Sequence, residues 1–499
     1  MYGVILAAGV GSRLRPMTND KPKCLVTTAG KAIIQYQIDA YKEAGVREIF
    51  IIVGYEGEAI KDYCKHIKDI SIKIIDNQDY ENTNNMYSLY LAREYVDGKP
   101  FILNNADLSI DSSIVKKLLS FEASDAVAVD TGIFNDESMK VTVRDNGTIS
   151  GISKAVAEKD SFACSIDFYK FSGKSSSIFF KKIKEIIEVD KNLKDWTEVA
   201  MHKLFSTQEM SFYPCDIAGL DWVEIDNYQD LAISDRKFSN FDKSVKNIDN
   251  FLFDLDGTVY LGKDVIPGAV ESVNQIRKMG KSVFFFSNNS SKNKKDYVKR
   301  LRKIGIDCID GDIILSTDGL IGYLKENNIE KVHVLGTESL KSTIRDFGFD
   351  VDADNPEYVV IGYDTELTYQ KLVDACNYIN KGVDILATHC DVFCPTENGP
   401  VPDVGAMLEM IRLTTGKTAK LIFGKPSVSM LKPLVDNLKI DLTRTVIIGD
   451  RLHTDIRMAK EAKCLSLLVL SGETTRDQLE TAAIKPDFVL TTVADIFNS

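Results

Sequence analysis

Two apolar stretches, one at the start of the chain and one near its middle, run straight into turns of small or acidic residues. No other feature limits the fold as much. The first is Gly3–Gly11 and the second is Phe251–Thr258. After each, strand-like and helix-like segments alternate, the pattern of a mostly parallel sheet covered by helices. Strands are expected at Gly3–Ala8, Glu48–Gly54, Ser71–Asp76 and Phe101–Asn104, with a helix over Gln35–Ala44. A second series is expected at Asn250–Asp254, Ser282–Ser287, Val332–Leu335, Tyr358–Gly362, Thr445–Gly449 and Ser466–Leu470. The fold class is therefore α/β, with a Rossmann-like sheet in each half. Ser234–Lys246 is polar and poor in aliphatics, which puts the domain boundary near residue 240.

Length and composition agree with several soluble units. The chain has 499 residues, 44% hydrophobic and 27% charged, which excludes a mainly disordered, collagenous or coiled-coil protein. With 61 basic and 73 acidic residues the net charge is −12, so no long-range field draws nucleic acid or anionic lipid. Apolar runs such as Ile49–Val53 and Val283–Phe286 are strand-sized, far short of the roughly 18 residues of a membrane span. Lys292–Lys303 is basic but reads as the solvated face of a helix. Nine cysteines and five scattered histidines contain no Cys-x-x-Cys, so a zinc site is not expected. The thiols read as reduced. With no basic segment ahead of Val4-Ile5-Leu6, the expected location is cytoplasmic. The oligomeric state is not fixed by the sequence, and a homo-oligomer stays open.

The first turn, Leu6–Lys23, reads LAAGVGSRLRPMTNDKPK. Leu6, Ala7, Ala8, Gly9 and Gly11 let backbone amides approach phosphate oxygens, and Arg13 and Lys23 supply the charge a triphosphate needs. A glycine turn alone can be a plain strand-to-helix connection. Here Gly-x-Gly-Ser-Arg is followed by Pro22-Lys23, a more specific order. Residues 1–235 resemble the sugar-phosphate nucleotidyltransferase superfamily. The resemblance implies a nucleoside triphosphate on this loop, attack on its α-phosphorus and departure of pyrophosphate. It also implies Mg²⁺ at Asp107 and Asp226. In Trp222–Asp226 the alternation puts Glu224 and Asp226 on one face, where two carboxylates repel unless a cation lies between them. Ala106, where the family has glycine, is a departure.

Tyr80–Leu89 reads YENTNNMYSL, with Asn84 and Asn85 able to donate to and accept from a base or ribose, or simply to open a helix. This stretch resembles choline-phosphate cytidylyltransferases, which implies CTP, with Lys154 on the acceptor's phosphate. Trp222, Tyr169, Tyr87 and Trp196 do not form an evident cage for a quaternary ammonium. The acceptor expected is a small phosphorylated alcohol, amino alcohol or phosphonate. UTP- or dTTP-dependent sugar-1-phosphate transfer is the alternative, as is a half that only senses nucleotide or phosphate.

The second turn reads FLFDLDGT. Asp254 and Asp256 at a strand end suit an aspartyl nucleophile and a proton-transferring partner. Residues 247–499 resemble the haloacid dehalogenase superfamily, of the p-nitrophenylphosphatase and phosphoglycolate phosphatase type. That resemblance implies a Mg²⁺-dependent phosphate-monoester hydrolase working through a phospho-aspartate. Ser287, Asn288 and Asn289 would hold the phosphoryl group and Lys425 would neutralise it. Metal would be held by Asp254, Asp256 and Asp450, with Asp455 adding acid. The core is expected over 247–339 and 421–499, with an inserted α/β cap at 340–420. The cap loop Thr388–Gly405 departs from the family at Asp403; Asp391 and Asp403 read as solvated loop acids, or as selecting a charged or hydroxylated substrate. His453 is another departure. The whole is expected to be a bifunctional enzyme whose partners are CTP, a small acceptor and a phosphate monoester.

Overall fold

A computed structural model of the chain describes residues 1–134, 138–239, 241–394 and 399–497. Two compact units make it up, Met1–Phe238 and Ser239–Ser499.

The first unit is built on a mixed sheet. Its parallel part runs through Phe101–Asn105, Tyr2–Ala7, Glu48–Val53 and Ser71–Asp76, and antiparallel strands including Ala163–Phe171 extend it beyond Phe101–Asn105. Parallel strands need cover on both faces, and the sequence provides it. Val4 and Leu6 enter one buried cluster with Phe50, Ile52 and Leu103; Ile5 and Ala7 enter another with Ile49, Ile51 and Ile102. The period-two alternation of an almost wholly apolar strand thus feeds two cores at once. Truncating Ile51 to alanine would cost about 2–5 kcal/mol. Tyr2–Ala7 lies between Glu48–Val53 and Phe101–Asn105, so the loop after Ala7 and the turn after Asn105 leave the same sheet edge.

The second unit holds two parallel sheets. The larger runs Ile313–Leu315, Ser282–Ser287, Asn250–Asp254, Thr445–Gly449, Leu465–Val469, Phe488–Leu490. Asp254, Ser287 and Gly449 close three adjacent strands at their carboxyl ends, where α/β sheets place their sites. The smaller sheet, Val332–Leu335, Tyr358–Ile361, Asp384–Ala387 and Ala419–Ile422, is inserted between Ile313–Leu315 and Thr445–Gly449.

One expectation changes. The smaller sheet begins at Val332, ahead of the cap start at 340, and ends at Ile422. Apolarity marked Val332–Leu335 as a strand without showing that its partner is Tyr358–Ile361. Leu320, Ile321 and Leu324 of the preceding helix Ser316–Glu326 join the same core. The polar segment Ser234–Lys246, where the two units meet in sequence, is largely helical. Helices Tyr228–Phe238 and Phe241–Asn247 occupy most of it, and Ser234, Asp235, Phe241 and Val245 are buried. Two of its buried polar groups are matched: Thr28 Oγ1 donates to Ser234 Oγ at 2.9 Å and the Ala29 amide donates to Asp235 at 2.7 Å.

Candidate active sites

The first unit carries a cavity of about 400 Å³. Leu6, Ala7, Ala8, Gly9, Gly11 and Arg13 line one side, and Lys23, Asn84, Asn85, Asp107, Lys154, Glu224 and Asp226 complete it. Gly11 sits at φ +64°, and a Cβ there would lie 2.8 Å from Lys23 Cβ, so glycine permits both the turn and the approach of the lysine. Asp107 follows Phe101–Asn105, and Asp226 lies just past Trp222–Glu224, which pairs antiparallel with Leu108–Ile110. That pairing brings together acids more than a hundred residues apart in sequence.

Lys23 Nζ donates to Asp107 Oδ2 and to Asp226 Oδ1, each at 2.9 Å, and Arg13 reaches Asp226 at 3.1 Å. Burial alone would lower the Lys23 ammonium, but Asp107 and Asp226 hold it above the usual lysine range. For Asp226 burial pulls upward, and Lys23 and Arg13 outweigh it, leaving the carboxyl below its ordinary value. Glu224 is pushed up to about 9, by burial first and then by Asp167, Asp107 and Asp226. Ligand oxygens of Asp107, Glu224 and Asp226 lie within 4.8 Å of one another, and Asp107 Oδ1 is buried without a protein partner. Three convergent oxygen donors with one oxygen unsatisfied fit a hard divalent cation such as Mg²⁺.

Asn84 and Asn85 have structural work to do as well. Asn84 Oδ1 caps helix Asn85–Leu91 by accepting from the Asn85 amide at 2.8 Å, and its Nδ2 donates to Lys194 O at 3.2 Å. Asn85 Oδ1 accepts from the Thr197 amide at 2.9 Å. Of the four aromatics considered, Trp196 lines the cavity, with Lys154 Nζ 5.4 Å from its ring centre. Trp222 is buried and donates to Asp130 at 2.8 Å.

Two acids on the cavity wall escaped the sequence reading. Asp167 sits at φ +56°, where the pairing register between Ala163–Phe171 and Ala126–Asp130 shifts. This left-handed backbone is costly for a non-glycine residue and turns its carboxylate to the cavity. Asn105 Nδ2 donates to it at 2.9 Å and Tyr169 OH lies 2.7 Å away. Buried Glu198 lies 2.9 Å from both Tyr169 OH and Thr197 Oγ1. Burial, then Glu198, pushes Asp167 up to about 7. Its neighbours in Ser165-Ile-Asp-Phe-Tyr give no sign of the bulge.

The second unit has a smaller cavity of about 40 Å³, lined by Asp254, Asp256, Ser287, Asn288, Asn289 and Lys425, together with Asp391, Asp403 and Arg451. Lys425 Nζ donates to Asp254 and, at 2.7 Å, to Asp455. Asn288 joins two segments: its Oδ1 accepts from the Lys425 amide at 2.7 Å and its Nδ2 donates to Lys425 O at 3.2 Å. Asp254 is raised well above the carboxylate range by burial; Lys425 opposes this and Asp455 and Asp450 add to it. Asp256 is raised too, chiefly by burial. Gly257, at φ +92°, would place a Cβ 2.4 Å from Asp450 Oδ2.

The carboxylate cluster here is Asp254, Asp450 and Asp455, with ligand oxygens within 4.8 Å; the Asp256 side chain is not part of it. Asp450 Oδ1 is buried and unpartnered, which suits a divalent cation. Asp391 and Asp403 are not solvated. The Asp403 residue is 4% exposed and the Asp391 side chain 9%, because both are hydrogen-bonded inside the cavity wall. His453 is exposed, its ring 4.0 Å from Glu473.

Residues 251–350 match the family model for haloacid dehalogenase-like hydrolases, and 422–496 a second model of that group. Sugar-phosphatase AraL of Bacillus subtilis is 34% identical over 49% of this chain and 90% of its own length. Phosphoglycolate phosphatase 2 of Arabidopsis thaliana is 32% identical over 52% of this chain and 95% of its own. The chain belongs, through its second half, to the haloacid dehalogenase-like hydrolases. Acid sugar phosphatase of Staphylococcus haemolyticus, 30% identical over 49% of this chain and 93% of its own, agrees with this membership. Residues 2–142 match the nucleotidyl transferase family model, so an N-terminal nucleotidyl transferase domain precedes the haloacid dehalogenase-like one. No helix among the described residues is long and apolar enough to cross a membrane.

Proposed function

We propose that the chain is a bifunctional, Mg²⁺-dependent enzyme. The first unit transfers CMP from CTP to a small phosphorylated amino alcohol or an aminophosphonate. The second hydrolyses a phosphate monoester through an aspartyl phosphate. The observation that carries the first half of this reading is the convergence of Lys23, Asp107, Glu224 and Asp226 opposite the glycine-rich loop in one cavity.

The acceptor's phosphate or phosphonate oxygen attacks the α-phosphorus, and the bond to the β-phosphate oxygen breaks to release pyrophosphate. Arg13 and Lys23 stabilise the charge that builds on the phosphate oxygens. Bound at Asp107, Glu224 and Asp226, Mg²⁺ would act as a Lewis acid on the triphosphate. Asn85 Oδ1 accepts from the Thr197 amide, which fixes the orientation of the side-chain amide and leaves its two N–H groups as donors for a base. Those donors suit the O2 and N3 acceptors of cytosine better than uracil, whose N3 carries a hydrogen. Lys154 supplies charge for the acceptor's phosphate. Asp167 and Glu198 favour an acceptor whose far end is an ammonium, with Trp196 beside it.

In the second unit Asp254 attacks phosphorus and Asp256 protonates the leaving oxygen, then activates water against the acyl phosphate. The raised carboxyl of Asp256 suits a group that must carry a proton at the outset. Lys425 holds the nucleophile, and Ser287 and Asn289 receive the phosphoryl oxygens. Asp254, Asp450 and Asp455 would hold Mg²⁺, which neutralises charge on the transferred group. The two heads act on different phosphates, since a phosphatase acting on the acceptor would destroy it.

The test is a screen of the full chain against nucleoside triphosphates paired with phosphorylated alcohols, amino alcohols, aminophosphonates and sugar 1-phosphates, reading pyrophosphate and phosphate separately. CTP with an amine-bearing acceptor should give the fastest pyrophosphate release. A faster pairing of UTP or dTTP with a sugar 1-phosphate would overturn the cytidylyl reading.

A further inference from the structure

The mechanism leaves unused a chain of buried polar groups in the second unit. Asp403 opens helix Val404–Thr415, its Oδ1 accepting from the Val404 amide at 2.6 Å. The same oxygen is 2.9 Å from His389 Nε2. His389 Nδ1 is 3.1 Å from Thr388 Oγ1, which is 2.9 Å from Ser290 Oγ. Ser290 Oγ accepts from the Tyr363 amide at 2.9 Å. Thr388, His389 and Ser290 are 0% exposed and Asp403 is 4% exposed, so water does not substitute for any of these bonds.

The partners assign a direction. The carboxylate oxygen only accepts, so His389 Nε2 carries the hydrogen and Nδ1 is the acceptor. Thr388 then donates to Nδ1 and accepts from Ser290, which accepts from Tyr363. Every hydroxyl donates once and accepts once. An imidazolium would turn the Thr388 hydrogen toward Ser290 and leave the Ser290 hydrogen without an acceptor in this chain, so the neutral ring fits it.

We propose that this relay is a positioning device for the phosphatase reaction, with His389 and Asp403 its key residues. One end is Ser290, directly after the phosphate-facing Ser287-Asn288-Asn289. The other is the helix start beyond the limb Thr388–Cys394, which carries Asp391, Phe393 and Cys394 into the cavity. A second tie runs alongside, from Asn288 Nδ2 to Asp391 Oδ2 at 3.1 Å. The limb is thereby fixed to the phosphate turn at two points, which sets where the leaving group's alcohol must lie. This inference rests on the phosphatase reading of the unit.

The test uses the full chain and two esters, p-nitrophenyl phosphate and glycerol 3-phosphate. His389→Leu keeps the helix cap and breaks the relay; Asp403→Ala breaks both; Asp403→Asn keeps an acceptor for both. Thr368→Ala removes an equivalent cap from helix Tyr369–Asn380, away from the cavity. The first two should raise KM for glycerol 3-phosphate about tenfold, on the order of 1.4 kcal/mol, with kcat within threefold. Their double variant should be no worse than either, and Asp403→Asn should recover most of the loss. ¹⁵N NMR of the wild-type chain should show His389 as the neutral Nε2–H tautomer. Unchanged KM in folded variants, an equal rise in Thr368→Ala, or the Nδ1–H or doubly protonated ring would overturn the relay. A wild-type chain that hydrolyses neither ester would overturn the phosphatase reading instead, and the NMR signal would still decide the relay.

Discussion

Lys23 Nζ stands 2.9 Å from Asp107 Oδ2. Its other carboxylate, Asp226 Oδ1, is equally near, so one ammonium joins acids from two separate strand ends. Carboxylates this close repel unless a cation neutralises them. With Lys23 and a divalent cation sharing that task, Asp107→Asn should cut pyrophosphate release by about 10²–10³, the scale of losing one charge-stabilising group. Phosphate release should stay near wild type, and chelator should stop both activities. Loss of both activities in a folded Asp107→Asn protein would show that the heads depend on each other.

The base preference follows from Asn85 and its neighbours. Pyrophosphate release with CTP should exceed that with UTP at equal concentration by at least about tenfold, or about 1.4 kcal/mol of transition-state binding. Asn85→Ala should shrink that ratio more than it lowers the CTP rate. A ratio unmoved by this change would remove Asn85 from base recognition.

Asp167 ties stability to pH. Its carboxyl is raised to about 7, chiefly by burial and then by Glu198, against an unfolded value of about 3.9. The native state therefore keeps the proton longer than the unfolded chain. The penalty for ionising it is absent below about pH 4 and complete above about pH 7, so stability falls as pH rises through that window. Asp167→Asn should remove the penalty. Its melting temperature should match wild type near pH 4 and exceed it at pH 8, by an amount equivalent to a few kcal/mol of stability, on the order of 1.4 kcal/mol for each unit by which the carboxyl is raised. Transfer to amine-bearing acceptors should fall at the same time. Equal melting temperatures at pH 8 would mean the pocket already compensates the charge.

Much of both sites was legible because the chemistry sits in short segments at strand ends. Gly-x-Gly-Ser-Arg and Asp-x-Asp-Gly-Thr each mark a place where backbone must pass close to something, as Gly257 does against Asp450. Asp167 and Glu198 were not legible, since a bulge and a left-handed residue depend on tertiary pairing that no local pattern encodes. Asp403 was noticed as an odd residue, yet its role needs His389, which the fold brings to 2.9 Å. Sheet membership was hidden for the same reason: Val332–Leu335 reads as a strand of either sheet until its partner is known.

The covalent step gives the sharpest contrast. Asp254 ends a central strand, and its carboxylate is held by Lys425 in the second cavity. Asparagine there keeps the shape but is a far poorer nucleophile, so phosphate release should fall by several powers of ten, about the cost of losing one member of a catalytic unit. Asp256→Asn keeps the nucleophile and lacks a proton to give. With an activated ester such as p-nitrophenyl phosphate, which needs little help to leave, the first step should still run slowly. The second step needs a base to activate water, so a phosphorylated chain should accumulate and appear in intact mass as one added phosphoryl group. Asp254→Asn should show no such adduct under the same conditions. Neither change should alter pyrophosphate release. Normal phosphatase turnover in Asp254→Asn would remove it as the nucleophile, and an adduct in Asp254→Asn equal to that in Asp256→Asn would place the phosphoryl group on another residue.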